Sequence, residues 1–266
     1  MTRPLIVDTF PFNNELDILE MRLTELQEAV DHFVIVEATV DHQDHPKPLW
    51  FADHRERFAP WADKITHVIA DRLPTHAENN DPWAREHAQR EWIGDGLARL
   101  DLSGQDIILQ SDVDEIPRAI FARNVRPAAG MLVFGMRFHC FAIDWQHPEL
   151  WHGTVAASVA TLVKLPAGKR FAFQRDNRMR AQMPAHMTDA GWHFSWLGGR
   201  DASLAKLNSF CHPEIAERTE SWLQDETFWR EGYHVDGKKQ TPVEVDGSWP
   251  LWIREGHAPQ QWFRPR

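Results

Sequence analysis

Asp112 and Asp114 stand two residues apart in DIILQSDVDEIP, the stretch from Asp106 to Pro117. The apolar run Ile107-Ile108-Leu109 ahead of them reads as a buried strand. If that strand runs on through Ser111, both carboxylates project to one side with Cα atoms about 6–7 Å apart. The carboxyl end of a parallel strand is where open α/β sheets bind their ligands. Two ionised carboxylates about 5 Å apart repel by roughly 3 kcal/mol at an effective dielectric near 20. A hard divalent cation removes that cost, and oxygen ligands suit Mg2+ or Mn2+. On a solvated loop the same Asp-x-Asp is an ordinary turn. Aspartyl-phosphate hydrolases also place Asp-x-Asp after a strand, but after the first one and with Thr or Val two positions beyond the second Asp. Here that position is Ile116 and the strand comes fourth.

The elements that must hold this pair read as alternating strand and helix. Leu5 to Phe10, His32 to Ala38, Ile65 to Ile69 and Asp106 to Gln110 are short apolar strands. Between the first two, Asn13-Asn14 predicts an N-cap, and Leu16, Leu19, Leu23, Leu26 and Val30 recur every three or four residues along one helical stripe. Pro82 to Leu100 predicts a second long helix with Trp83, Ala84, Ala88, Ile93, Leu97 and Leu100 toward the core. Strands spaced by helices predict βαβ units and a mostly parallel sheet covered on both faces. After Pro117 the pattern changes: Met131 to Phe141 predicts one or two strands, and helical character returns at Ala202 to Phe210 and Pro213 to Arg230. No Pro-, Gly- or Ser-rich linker divides the chain, which predicts one α/β domain over residues 1–266.

Composition narrows the partners. The 266 residues carry 39 acidic and 29 basic side chains, a net charge of −10, so neither nucleic acid nor an anionic membrane is an expected partner. Cys140 and Cys211 are too few for a disulfide framework or a thiolate zinc cage, which points to a reducing compartment. The longest uncharged stretch of interest, Gly153 to Val163, falls far short of the roughly 20 residues that span a bilayer, and no signal peptide is expected ahead of Asp8. The expectation is a cytoplasmic protein without a transmembrane segment. Thirteen Trp against one Tyr offer indole faces that pack on sugar rings, although core packing is their commoner use.

Six blocks stand in the order of a known family: FPFNNELDILEMRLTEL (Phe10 to Leu26), VDHFVIVEA (Val30 to Ala38), KPLWF (Lys47 to Phe51), Glu86 with Gln89 and Arg90, SDVDEIP (Ser111 to Pro117) and GWHFSW (Gly191 to Trp196). Together they resemble glycosyltransferase family 17, over nearly the whole chain. The resemblance implies a GT-A, Rossmann-like nucleotide-sugar-binding fold, with residues up to about 117 as the donor half and about 118–266 as the acceptor half. It also implies a UDP-sugar donor, UDP-GlcNAc first among them, a glycan acceptor, inversion at the anomeric carbon, and Mn2+ or Mg2+ at Asp112 and Asp114. The family's late His corresponds to His193, a third metal ligand by this reading and otherwise a buried His with one hydrogen bond. Glu214 is the family-favoured base, followed by Glu217, Asp144 and Asp189. Each is equally a surface carboxylate; Glu115, next to the pair, points away by strand alternation.

Other residues have a structural and a functional reading side by side. Asp8, Asn13 and Asn14 precede a helix N-terminus that would receive phosphate or simply be capped. Glu37 ends the second strand, where a carboxylate would accept from ribose or uracil. Arg90 pairs with Glu86 at i−4 or, as the family block implies, faces the donor with Ser111, Asp112 and Val113. Trp192 and Trp196, with His212, would floor a sugar site or pack in the core. Lys169, Arg170, Arg175, Arg178 and Arg180 form a phosphate clamp or a solvated charged face. The expected activity is metal-dependent, inverting transfer of a sugar to a glycan. The rivals are a carbohydrate-binding protein without turnover and a metal-dependent phosphohydrolase. Without an anchor or secretory cysteines, a bacterial polysaccharide or lipid-linked oligosaccharide is the expected acceptor rather than a bisected N-glycan.

Overall fold

Strand β1, Ile6–Phe12, has almost every residue buried, so it lies between two covered faces rather than on one. Its side chains alternate between two cores: Ile6, Phe10 and Phe12 enter one, and Val7 enters the other. The computed structural model describes residues 3–81, 83–127, 130–168, 170–171, 186–209 and 220–264. Parallel to β1 on either side run β2, His32–Ala38, and β4, Ile107–Gln110, and β3, Ile65–Ala70, extends the sheet beyond β2. Phe33, Ile35, Ile107 and Leu109 share the first core, whereas Val34, Val36, Val68 and Ile108 share the second.

The first core is closed by α1, Leu16–Leu26, through Leu19, Leu23 and Leu26, as its spacing predicts. The expected Asn cap is absent: Glu15 occupies the cap position and no side chain caps the helix. On the other face the expected long helix is broken at Trp92 into α3, Ala84–Glu91, and α4, Ile93–Leu97, after a short α2, Trp50–Asp53. Gly94 and Gly96 weaken the helix there. Gly96 also lets α4 press onto the sheet, because a Cβ at that position would strike Val34 and Val68. The buried residues of α3 are mostly polar, Arg85, Glu86, Gln89 and Arg90 among them. Three of them, Glu86, Gln89 and Arg90, line a cavity.

Beyond β4 the sheet becomes antiparallel. It continues through β8, Trp151–Ser158, to β6, Met131–Cys140, and on to β7, Trp145–Gln146, and β11, Thr241–Pro242. Strand β8 was not expected from its sequence, since Gly153, Ala156 and Ala157 have low strand propensity. Gly153 leaves room for the Met136 side chain, whose sulfur would meet any Cβ at that position. On β6 rest β9, His186–Met187, and β10, Gly191–Ser195, both parallel to it, and β10 pairs antiparallel with β5, Glu115–Pro117. Further helices among the described residues include α5, Ala119–Asn124, α6, Val159–Leu162, α7, Gly199–Ser209, α8, Glu226–Glu231, and α9, Leu251–Arg254. The parallel order β3-β2-β1-β4 with helices on both faces is the α/β, GT-A type of arrangement the sequence predicts. No helix among the described residues is long and apolar enough to cross a membrane. Cys140 is buried, and burial pushes its thiol well up, so it is no nucleophile.

His139, on β6, sets an acid limit on stability. It is fully buried, and burial, with Arg137 adding, pushes its imidazole down to about 3 against the main chain of Ile143 and Trp145. The unfolded chain takes this proton near pH 6.5, whereas the native protein takes it only near 3. The stability from neutral His139 is therefore complete above about pH 6.5. It is lost progressively as pH falls toward 3, at up to about 1.4 kcal/mol per pH unit. Urea midpoints between pH 7 and 5 should fall less steeply in His139→Leu than in the parent. Equal slopes would show that His139 does not titrate in this way.

Candidate active site

The chain leaves the sheet at Gln110, where the fourth strand is expected to end and without running on through Ser111, and Asp112 to Glu115 form a turn closed by the Glu115 N–H on the Asp112 carbonyl at 3.1 Å. What holds this turn is Arg22 of α1, which is fully buried. Its guanidinium donates to the carbonyls of Asp112, Val113 and Glu115 at 2.9, 3.1 and 2.8 Å and to Ser111 Oγ at 2.6 Å. The same group makes a two-pronged pair with Asp8 at 2.7 and 2.6 Å and lies 4.4 Å over the Phe10 ring. From the other side buried Glu115 accepts from the Asp112 N–H at 3.2 Å and from Trp151 Nε1 at 2.5 Å. Every donor of the guanidinium fork is thus used, so the turn is a rigid shelf.

The shelf presents Asp112 and Asp114 to a cavity of about 840 Å³. Arg90 of α3 pairs with Asp112 and also with Glu86 at 3.2 Å. Asp114 lies between His193 Nε2 and Lys206 Nζ of α7, each at 3.5 Å. Burial works against ionisation of Asp114, but the charges of His193 and Lys206 outweigh it and hold the carboxyl below its usual range. Burial likewise opposes the Lys206 ammonium, and Asp114 foremost restores it, so Lys206 is held above its ordinary value. The carboxylates are therefore not a bare repelling pair; Arg90 and Lys206 already offset their charge. Those cations stand where an anionic ligand of the cavity would meet them.

The donor set fits a hard cation: two cavity-facing carboxylates with an imidazole beside them. Asp112 and Asp114 would hold it once Arg90 and Lys206 turn to the anionic ligand. His193 stacks 4.9 Å from the Phe138 ring and 4.3 Å from the Trp151 ring, which leaves Nε2 toward Asp114. Its Nδ1 is buried without a hydrogen-bond partner. A different trio, His147, His234 and Asp236, brings its ligand atoms within 4.8 Å of one another.

Of the residues singled out in the sequence, Asn13, Asn14, Arg90, Asp112, Val113, Asp114, His193 and Trp196 line this cavity. Trp196 does so with φ +58, a left-handed conformation unusual for a bulky residue and often found at binding sites. Others are structural. Asp8 and Ser111 are consumed by Arg22 beneath the shelf. Glu37 is buried and accepts from the Phe51 N–H at 3.0 Å and from His67 Nε2 at 3.1 Å. Trp192 is core, with Arg118 stacked 4.3 Å from its ring. Asp144 accepts the Arg264 N–H at 2.8 Å, and exposed Asp189 pairs with Arg118 and Arg137 at 2.9 and 2.7 Å. His212, Glu214, Glu217, Lys169, Arg175, Arg178 and Arg180 lie outside the described residues.

Sequence reasoning missed Arg22, Lys206 and His234. Only Arg22 carried a local signal: it falls three residues after Leu19 and four before Leu26, a charge on the buried stripe of α1.

The sequence profile of glycosyltransferase family 17 matches residues 1–228. Two curated relatives carry the name beta-1,4-mannosyl-glycoprotein 4-beta-N-acetylglucosaminyltransferase. The one from Homo sapiens is 25% identical over 228 residues, covering 77% of this chain and 43% of the relative. The one from Rattus norvegicus is 24% identical over 228 residues, covering 77% and 42%. The chain therefore spans about two fifths of the length of these relatives. A solved structure, glucosyl-3-phosphoglycerate synthase from Mycobacterium tuberculosis in complex with Mn2+, UDP-glucose and phosphoglyceric acid, is similar over 94% of this chain and 91% of its own, at 13% identity and TM-score 0.36.

Proposed function

Because the chain belongs to glycosyltransferase family 17, we propose that it transfers a sugar from a nucleotide diphosphate donor, UDP-GlcNAc first, to a hydroxyl of a glycan acceptor, inverting the anomeric centre. The observation that carries this reading is the acidic shelf, with Asp112 and Asp114 facing a cavity and matched there by Arg90 and Lys206.

Asp112 and Asp114 would hold Mn2+ or Mg2+, and when bound such a cation supplies a Lewis acid for the charge that develops on the departing diphosphate. The chain's own residues do the rest. Arg90 and Lys206 reach the same cavity and bring donors for phosphate oxygens, with Arg suited to bidentate contact. Trp151, Phe138 and Trp196 add aromatic side chains to the cavity lining, of the kind on which sugar rings pack. Asn13, Asn14 and Arg90 come from the donor half, and His193, Trp196 and Lys206 from the half proposed to take the acceptor. The Arg22 network keeps the shelf preorganised, so little rearrangement is needed as charge moves.

The test is nucleotide release from a panel of sugar nucleotides, with and without Mn2+, in the presence of mannose- and GlcNAc-terminated oligosaccharides. UDP release with formation of an elongated glycan is expected. Binding of UDP-GlcNAc without release would favour the carbohydrate-binding alternative. Hydrolysis of simple phosphate esters without use of any sugar nucleotide would favour the phosphohydrolase.

A further inference from the structure

The loop from Tyr233 to Lys239 folds back on itself, with the His234 N–H on the Lys238 carbonyl at 2.9 Å, and brings His234 to the cavity wall. Behind it lies Asp236, whose Oδ1 is 2.9 Å from His234 Nδ1. Asp236 is itself fixed: the Lys238 N–H donates to Oδ1 at 2.9 Å, the Lys238 ammonium stands 3.4 Å from Oδ2, and His147 Nε2 reaches Oδ2 at 3.2 Å. His147 accepts the Glu149 N–H on Nδ1 at 3.1 Å, so its proton sits on Nε2 and is donated to Asp236. A ring nitrogen carrying a proton has no lone pair for a metal, which argues against the His147, His234 and Asp236 trio as a cation site.

The carboxylate at Nδ1 draws the His234 proton to that nitrogen; the Asp236 N–H, 3.4 Å away, is too distant to compete. Nε2, across the ring, is then the basic nitrogen. The ring is wedged between Phe138, 5.2 Å away, and His147, 4.9 Å away, both near perpendicular, so it does not swing freely. The same Phe138 separates it from His193 and Asp114, one phenyl ring from the acidic shelf. Burial, with His147 and His193 adding, pushes the His234 imidazole below its usual value although Asp236 pulls the other way, so the resting ring is neutral.

We propose that His234, oriented by Asp236, is the general base that takes the proton of the acceptor hydroxyl. This assignment rests on the transferase reading. As the acceptor oxygen bonds to the anomeric carbon, its proton passes to His234 Nε2. The anomeric C–O bond breaks, and its electron pair leaves on the diphosphate. The imidazolium then returns the proton to solvent. His234 is the catalytic residue and Asp236 the positioning residue, the Asp–His logic of activated hydroxyls applied to a sugar alcohol.

The decisive experiment compares the parent protein with His234→Ala and Asp236→Asn. It measures transfer, UDP-GlcNAc binding with Mn2+ by calorimetry, and rescue by added imidazole. Transfer should fall about 10²- to 10⁴-fold in His234→Ala, with donor affinity retained and activity partly restored by imidazole. In Asp236→Asn kcat should fall with KM little changed. A parent that transfers nothing overturns the transferase reading, and this assignment with it. A parent that transfers while His234→Ala matches it overturns this assignment alone, as does loss confined to Glu214→Gln. Tight zinc binding abolished by His147→Ala would make the trio a metal site and overturn it as well.

Discussion

Replacing Arg22 with methionine is expected to destabilise the protein by about 3–5 kcal/mol, a large part of the roughly 5–15 kcal/mol that holds a folded protein together. Methionine fills much of the same channel, so packing is not the main loss. What is lost is the partner of Asp8, a carboxylate with no exposure to solvent. The donor to Ser111 Oγ and to three carbonyls of the shelf goes with it. Removing one member of a buried pair leaves the other charge without water or counter-ion, and that penalty dominates. Urea unfolding should show a lower midpoint with an unchanged slope. Adding Asp8→Asn should recover part of the stability, since the stranded charge is gone, but not the order of the shelf. Stability and nucleotide binding would then part company in the double variant. A change below about 1 kcal/mol in Arg22→Met would mean that the network carries little net energy.

Why Arg22 was passed over shows what a sequence exposes. Strands β1, β2 and β4 were legible because burial on both faces forces nearly unbroken apolar runs, and α1 because its stripe repeats every three or four residues. Strand β8 was not, because Gly153, Ala156 and Ala157 have low strand propensity and its place is set by pairing with β4 and β6, distant in sequence. Acidic residues at strand ends are ambiguous in the same way. Asp8 and Glu37 look like ligands in one dimension, yet each is answered by a donor from a distant element, Arg22 or His67. Asp112 and Asp114 line the cavity, but they are not the bare repelling pair that their spacing suggests. The counter-charges come from α3 and α7, one before and one far after the pair. His234 and Asp236 stand two residues apart without any pattern, and only the fold brings them against Phe138 and His147.

Turnover is expected to fall at least about 10²-fold in Asp114→Asn and in Asp112→Asn alike. Asparagine keeps the size of aspartate and one acceptor oxygen while replacing the charge and the second acceptor with an NH2 donor, and the shelf should persist. Its main supports, Arg22 and Glu115, reach the backbone of the turn and not these side chains. Asp114 should be the more sensitive, since its 11% exposed side chain has less access to water than that of Asp112 at 28%. In a drier site a lost charge weighs more. The stability cost should stay well below that of Arg22→Met, because both side chains face the cavity instead of the sealed interior. The discriminating measurement is nucleotide affinity with and without Mn2+. In the parent the metal should strengthen UDP binding; in either variant that gain should shrink while metal-free binding, drawn by Arg90 and Lys206, holds or rises. Full transfer in both variants, with the Mn2+ effect intact, would remove the acidic shelf from the chemistry and leave it a structural turn.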